Sequence, residues 1–130
     1  MSATSTSISR INTVVVVVSD TDRAIQFYTE QLGMEKRVDV PFGDQYRWVE
    51  VAPAGAETTI ALAPPPPGRE PGGSETGISF QTSDIDALHA ELKGRGVDVD
   101  AEISRMGDPV PPLFWLRDPD NNTLMVAGVS

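Results

Sequence analysis

The sequence predicts an α+β fold of two tandem β-α-β-β-β units, forming a curved mixed sheet cup with helices on its outer face. Three observations predict it. Ser19-Asp20-Thr21-Asp22 returns as Ser83-Asp84-Ile85-Asp86, an offset of 64 residues. Each copy follows a β-rich run and opens a helical pattern. Each helix is followed by three strand candidates, and a Pro/Gly-rich stretch separates the two sets.

The first strand is read from INTVVVVV, residues 11–18. Ile25, Tyr28 and Leu32 then recur at helical spacing, and Gly33 supplies the stop. The Ser/Asp pair before them suits a helix N-terminus, where side-chain oxygens meet free N–H groups and acidic charge meets the dipole. Strands are expected at Met34–Val40, Gln45–Ala52 and Glu57–Ala63. The second half repeats the order. GISFQT forms its first strand, and Ile85, Leu88 and Leu92 mark a helix ended by Gly94-Arg95-Gly96. Val97–Ile103, Leu113–Arg117 and Thr123–Ala127 give its strands. Trp48-Val49 and Trp115-Leu116 take matching places in the two middle strands. Each unit has roughly 50–60 residues, too few to bury its own sheet face well, so the two should pack together. The expected organisation is a flexible tail at 1–10, a first unit at 11–63, a connector at 64–76 and a second unit at 77–128, one domain overall.

Composition excludes several functions. At 39% hydrophobic and 22% charged residues, the 130-residue chain reads as an ordinary soluble globular protein. A net charge of −9 opposes nucleic-acid or anionic-membrane partners by repulsion. Without cysteine there is no disulfide, thiolate metal site or Cys nucleophile. The start, MSATSTSISR, has no basic region followed by an apolar one, so it does not read as a signal peptide. The longest apolar run, Val14 to Val18, is far too short to cross a bilayer. The expected location is the cytoplasm.

The opening INTVVVVVSDTDRAIQFYTEQLGM, the closing LRDPDNNTLMV and the duplicated unit resemble the vicinal oxygen chelate superfamily. That group holds glyoxalase I, extradiol dioxygenases, fosfomycin-resistance enzymes and bleomycin-resistance proteins. The resemblance covers Ile11 to Ala127. Asp20, Ala24, Phe27, Tyr28, Leu32 and Gly33 fit the family's helix pattern, and DPDNN matches its DPDGN turn with Asn121 in place of glycine. Asn tolerates positive φ, so this departure costs little. The resemblance implies four metal-ligand positions, two from each half, usually His or Glu. They fall at Thr13, Ala61, Gly77 and Met125, and the offset of 64 relates Thr13 to Gly77 and Ala61 to Met125. None is an ordinary metal donor. No cofactor is therefore expected. His89, the one histidine, lies in the second helix pattern, on the layer away from the cup. Asp118 and Asp120 suggest a calcium loop, but the downstream Glu is missing, and a structural turn is the plainer reading.

Strand alternation assigns the cup lining. Thr13, Val15 and Val17 face it from the first strand, with Val14, Val16 and Val18 under the helices. Gly77, Ser79 and Gln81 face it from the matching strand of the second half. Thr59, Ala61 and Ala63 do so in the first half, and Thr123, Met125 and Ala127 on the closing strand. The family's turn geometry puts Leu113, Trp115 and Arg117 inward, and the repeat then suggests Tyr46, Trp48 and Glu50. The expected ligand contacts are Tyr46, Trp48, Glu50, Thr13, Val15, Ser79, Gln81, Leu113, Trp115, Arg117 and Met125. Such a lining suits a flat or bulky organic molecule held by stacking and burial, with Met125 as an adaptable surface. The alternative is that Trp48 and Trp115 only fill the interior. Arg117 and Glu50 either pair across the pseudo-twofold or meet a polar group of the ligand. Pro109-Val110-Pro111-Pro112 and Pro64–Pro67 read as stiff rim or edge segments suited to edge protection or a dimer contact. PPPPGR also fits an SH3-type ligand weakly.

The resemblance and the missing ligands together point to a metal-free binding protein of the bleomycin-resistance type. It would sequester an aromatic or amphipathic compound such as an antibiotic without turning it over, as a homodimer. The alternative is a metal-independent isomerase, lyase or cyclase of secondary metabolism. Glu50, Tyr46 and Arg117 are its available acid–base groups, with no orienting partner legible in the sequence. A metal-dependent lyase or dioxygenase is disfavoured. A purely structural or interaction role stays open.

Overall fold

The computed structural model describes residues 6–44 and 46–129. The first unit holds β1 (Thr13–Val17), α1 (Thr21–Gln26), β2 (Glu35–Phe42), β3 (Tyr46–Ala52) and β4 (Thr59–Ala63). The second holds β5 (Glu75–Thr82), α2 (Ile85–Gly94), β6 (Asp98–Val99), β7 (Leu113–Arg117) and β8 (Thr123–Gly128). They build two four-stranded sheets, ordered β1-β4-β3-β2 and β5-β8-β7-β6. In each, the first strand lies parallel to the last, and the other neighbours are antiparallel. The sheets repeat one topology, with β1 and β5 at their edges. No helix among the described residues is long and apolar enough to cross a membrane.

Alternation decides which face each strand buries. On β8, Leu124 and Val126 are buried while Thr123, Met125 and Ala127 are half-buried. On β1, Val16 is buried and Val15 stands 55% exposed. Val16, Tyr28, Val49, Val51 and Leu62 of the first unit join Leu92, Phe114, Leu116, Leu124 and Val126 of the second in one apolar cluster. The helix-facing sides of both sheets thus share a core. Truncating such a leucine to alanine costs about 2–5 kcal/mol.

The helix N-termini follow the repeated motif. The Asp20 carboxylate accepts the Arg23 N–H at 3.1 Å, and that of Asp84 accepts the Ala87 N–H at 3.0 Å. Beyond its cap, the first helix departs from the predicted α-helical spacing. After Gln26 it widens into a π-helical turn, Phe27–Gln31, and the Leu32 N–H reaches the Phe27 carbonyl at 3.1 Å. The wider turn sends both Phe27 and Tyr28 into the core, with their rings edge to face at 5.2 Å. Gly33 ends it at φ 78°.

Several strand limits also shift. β2 runs on to Phe42, β4 begins at Thr59 and β5 begins at Glu75, inside the expected connector. Gln45 and residues 1–5 of the expected tail lie outside the described residues. The strand expected at Val97–Ile103 keeps only Asp98–Val99, with one isolated bridge between Ser104 and Leu113. Asp100 is the physical reason. Its carboxylate accepts the Trp115 N–H at 3.1 Å and Arg117 at 2.7 Å, and its carbonyl meets His89 Nε2 at 2.7 Å. The Asp100 N–H still donates to the Trp115 carbonyl at 3.0 Å, but the Trp115 N–H turns to the Asp100 side chain instead of a backbone carbonyl, and regular pairing stops there.

The DPDNN turn joins the two units. Asn121 adopts φ 64°, the left-handed conformation that asparagine tolerates. The Asn122 amide donates to the Val17 carbonyl at 2.9 Å. The Asp120 carboxylate accepts the Ser19 N–H at 3.0 Å and its hydroxyl at 2.6 Å. These acidic side chains are held by donors of the protein, as a structural turn requires.

Candidate functional site

Because Val49 and Val51 are buried in the core, Tyr46, Trp48 and Glu50 stand on the opposite face of β3. Directly across on β2 lie Phe42, Val40 and Val38, in that order. A register shift between Lys36 and Val38 sets this phase. Phe42 and Val40 therefore extend the aromatic wall, and both are exposed, at 63% and 48%. Sequence reasoning missed them. The signal was the Gly43-Asp44 turn, which fixes Phe42 opposite Tyr46 once the hairpin is recognised.

Glu50 is held from two sides. The Trp48 indole N–H donates to Glu50 Oε2 at 2.6 Å, and the Thr59 hydroxyl lies 2.7 Å from Oε1. Thr59 Oγ1 also sits 2.8 Å from the Thr13 hydroxyl. A hydroxyl has one proton, and an ionised carboxylate can only accept. Thr59 therefore donates to Glu50, and the Thr13 hydroxyl, which also lies 3.2 Å from the Thr59 carbonyl, directs its proton to Thr59. The orienting partners that the sequence did not reveal are thus Trp48 and Thr59.

The proline run folds back onto this wall. Phe42, Tyr46, Arg47 and Trp48 enclose a cavity of about 250 Å³ with Ala63 and Pro64–Pro67. Arg47 points its guanidinium to the other side, donating to Asp39 at 3.1 and 2.8 Å and to Asp22 at 2.7 Å. Those carboxylates raise its pKa further above the usual arginine value.

In the second sheet, Phe114 and Leu116 enter the core, so Leu113, Trp115 and Arg117 take the other face of β7. Trp115 lies directly opposite Met125. Both line a second cavity of about 180 Å³ with Glu75, Gly77, Ile78 and Thr123. It shares no lining residue with the first. Arg117 pairs with Asp100 at 2.7 Å and Asp98 at 3.5 Å, rather than with Glu50. Leu113 is buried. Ser79 is exposed opposite Met125, and Gln81 lines a separate inter-unit groove of about 180 Å³ with Met34, Pro53 and Phe80. Thr13 and Val15 remain on the cup face of the edge strand β1. His89 lies on the helix layer, its ring edge to face with Phe114 at 4.9 Å.

A family model described as the glyoxalase/bleomycin resistance protein/dioxygenase superfamily matches residues 10–126. The chain belongs to that superfamily. A member of the superfamily from Sphaerobacter thermophilus DSM 20745 has a solved structure 35% identical to it, with a TM-score of 0.86 over 94% of this chain and 98% of that one. The solved structure of TnmS3, an antibiotic binding protein from Streptomyces sp. CB03234, is 34% identical, with a TM-score of 0.84 over 97% of this chain and all of that one (100%). YetH of Bacillus subtilis (strain 168) is 35% identical over 92% of this chain and 98% of its own length.

The superfamily's metal does not fit the residues at the four expected ligand positions. Thr13 is engaged with Thr59, and Ala61 is buried with no donor. Gly77 has φ 75° and sits in an irregular stretch where Glu75, not Gly77, pairs with Thr123. Met125 offers a thioether, a poor ligand for hard or borderline divalent ions. Among the described residues, no three His, Asp or Glu side chains converge as a metal-holding group. What the superfamily's scaffold presents here is aromatic and apolar surface with one tethered carboxylate.

Proposed function

We propose that this protein is a metal-independent small-molecule binding protein that sequesters an aromatic or amphipathic compound, such as an antibiotic. One observation carries the reading. Trp48 and Trp115 stand on the cup faces of β3 and β7, each lining a cavity, while the metal-ligand positions hold side chains without suitable donors. The two tryptophans do not match in register as the sequence suggested, because Glu50 lies opposite Ala61 where Trp115 lies opposite Met125. Aromatic walls and apolar floors gain affinity by burial and stacking, which needs no reacting group. The likeness to TnmS3, an antibiotic binding protein, supports the same reading.

The active form in this reading is a cytoplasmic homodimer. Each cavity is open to solvent within one chain, and the two share no residue. Val15, Val40, Phe42 and Tyr46 leave apolar surface exposed on the cup face of the first sheet. A second copy that apposes its half-cup would enclose a ligand and cover that surface.

The test is a tryptophan-fluorescence titration with a panel of aromatic antibiotics. Since Trp48 and Trp115 are the chain's two tryptophans, bound ligand quenches at the site itself. Saturable quenching with the compound recovered unchanged supports sequestration. Absence of saturation across the panel contradicts it. A second reading, metal-independent acid–base catalysis, gains one observation: Glu50 is oriented by Trp48 and Thr59. Product formation abolished by Glu50→Gln while binding persists would favour that reading.

A further inference from the structure

We propose that the slot between Phe42, Tyr46, Trp48 and Pro64–Pro67 is a subsite for a planar, positively charged ring system, with its charge directed toward Glu50. The inference rests on the binding reading above and specifies the ligand class for that site.

The shape and chemistry of the slot carry the first part. Phe42 and Tyr46 are paired across β2 and β3, and Trp48 follows on the same face. The opposite wall is a run of four prolines, Pro64–Pro67. Proline has no N–H, so this wall offers ring surface and carbonyl oxygens only. Rings on one side and prolines on the other favour a flat guest whose two faces are both covered. Apart from Arg47, whose guanidinium is paired with Asp39 and Asp22, the lining is rich in electrons. Aromatic faces carry the negative end of their quadrupole, and carbonyl oxygens carry the negative end of their dipole.

The charge pattern carries the second part. The Trp48 N–H is already bonded to Glu50, so Trp48 presents only its π-surface to a guest. Glu50 has no ion-pair partner among the described residues, and neither does Glu75 in the second half-cup. The nearby cations are neutralised. Arg47 is bound by Asp39 and Asp22, and Arg117 by Asp100 and Asp98. A neutral or anionic guest seated there would leave Glu50 without a compensating charge. A cation stacked on Trp48 supplies the missing charge and a cation–π contact together. The chain's net charge of −9 draws such a guest in from a distance.

Three matched acridines test the proposal, titrated by tryptophan quenching at pH 7.5. 9-Aminoacridine is cationic there, acridine is neutral and acridine-9-carboxylate is anionic. The expected order is cation, neutral, anion, with about tenfold or more between the first two, a gap that narrows as salt is raised. Glu50→Gln should weaken 9-aminoacridine about tenfold and leave acridine within about twofold. Phe42→Ala, at an exposed position, should weaken all three. Equal affinity for cation and neutral compound overturns the charge assignment, as does a Glu50→Gln effect no larger on the cation than on acridine. If Glu50→Gln fails a thermal-melt check, the wild-type ranking decides alone. Quenching by none of the three overturns the binding reading itself rather than its charge preference.

Discussion

The Tyr28 hydroxyl donates a 2.9 Å hydrogen bond to the Asp118 carboxylate, across 90 residues of chain. Both side chains are buried. The other Asp118 oxygen accepts the backbone N–H groups of Asp120 and Asn122, each at 2.9 Å. The second unit's β7–β8 turn is thereby fastened to the first unit's helix. Burial and then the Asp118 charge raise the Tyr28 pKa far above its ordinary value of 10.0. The bond holds the relative placement of the two sheets, and hence of their half-cups.

Tyr28→Phe should remove about 1–3 kcal/mol of stability in urea unfolding, because Asp118 stays buried with one donor fewer. It should leave the fold's secondary structure unchanged. The raised pKa also fixes a sign. The unfolded chain loses the Tyr28 proton near pH 10 while the folded chain keeps it. Stability from this group is full below about pH 10 and falls as pH rises beyond it. Wild-type protein should therefore lose stability on the alkaline side more steeply than Tyr28→Phe, as read from urea midpoints between about pH 9 and pH 11.

Gly72 holds the connector against the same turn. It has φ 92°, and a Cβ added there would lie 2.0 Å from the Asp120 carbonyl oxygen. Both strain and a backbone clash oppose any side chain. Gly72→Ala should lower stability by about 2 kcal/mol or more. A melt indistinguishable from wild type would show that the connector does not press on the turn as described.

Asp39 should titrate at about 2, below its ordinary 3.8, chiefly because Arg47 and then Lys36 donate to its carboxylate. A depressed carboxylate favours the folded chain above about pH 4 and loses that preference as pH falls through about 2. Carboxylate NMR titration should show the low value in wild type and a return toward 3.8 in Arg47→Met. An unshifted Asp39 in wild type would contradict the pairing.

Thr59→Val keeps the shape of a buried side chain but removes a donor to Glu50. With only the Trp48 N–H left to orient it, Glu50 should swing. Affinity for a bound aromatic cation should fall about three- to tenfold with little change for a neutral one. Titration of both compounds against the variant checks this.

The repeat, the strand alternation and the motif-bearing turn were legible because each rests on local chemistry. Asp20 and Asp84 cap their helices as the motif predicts, whereas the phase of the middle strands was not legible and is fixed only by the burial of Val49 and Phe114 in the shared core. The π-helical turn was not legible, because helical spacing at Ile25, Tyr28 and Leu32 gives no sign that Phe27 also enters the core. The short β6 was hidden for a similar reason, since Asp100 takes its partners from β7. At the site, Trp115 was placed inward by the family's turn geometry and Tyr46 and Trp48 by the repeat, but the tether on Glu50 joins β3 to β4 and needs three dimensions. The folding of Pro64–Pro67 against Trp48 is likewise a tertiary event that composition cannot reveal.

Isothermal titration calorimetry on chelator-dialysed protein tests the central claim most directly, using the tightest compound from the fluorescence panel. The account predicts saturable binding that is the same before and after chelation and weakened about tenfold or more by Trp48→Leu. Binding that disappears on chelation and returns with a divalent metal, or that ignores Trp48→Leu, would contradict it.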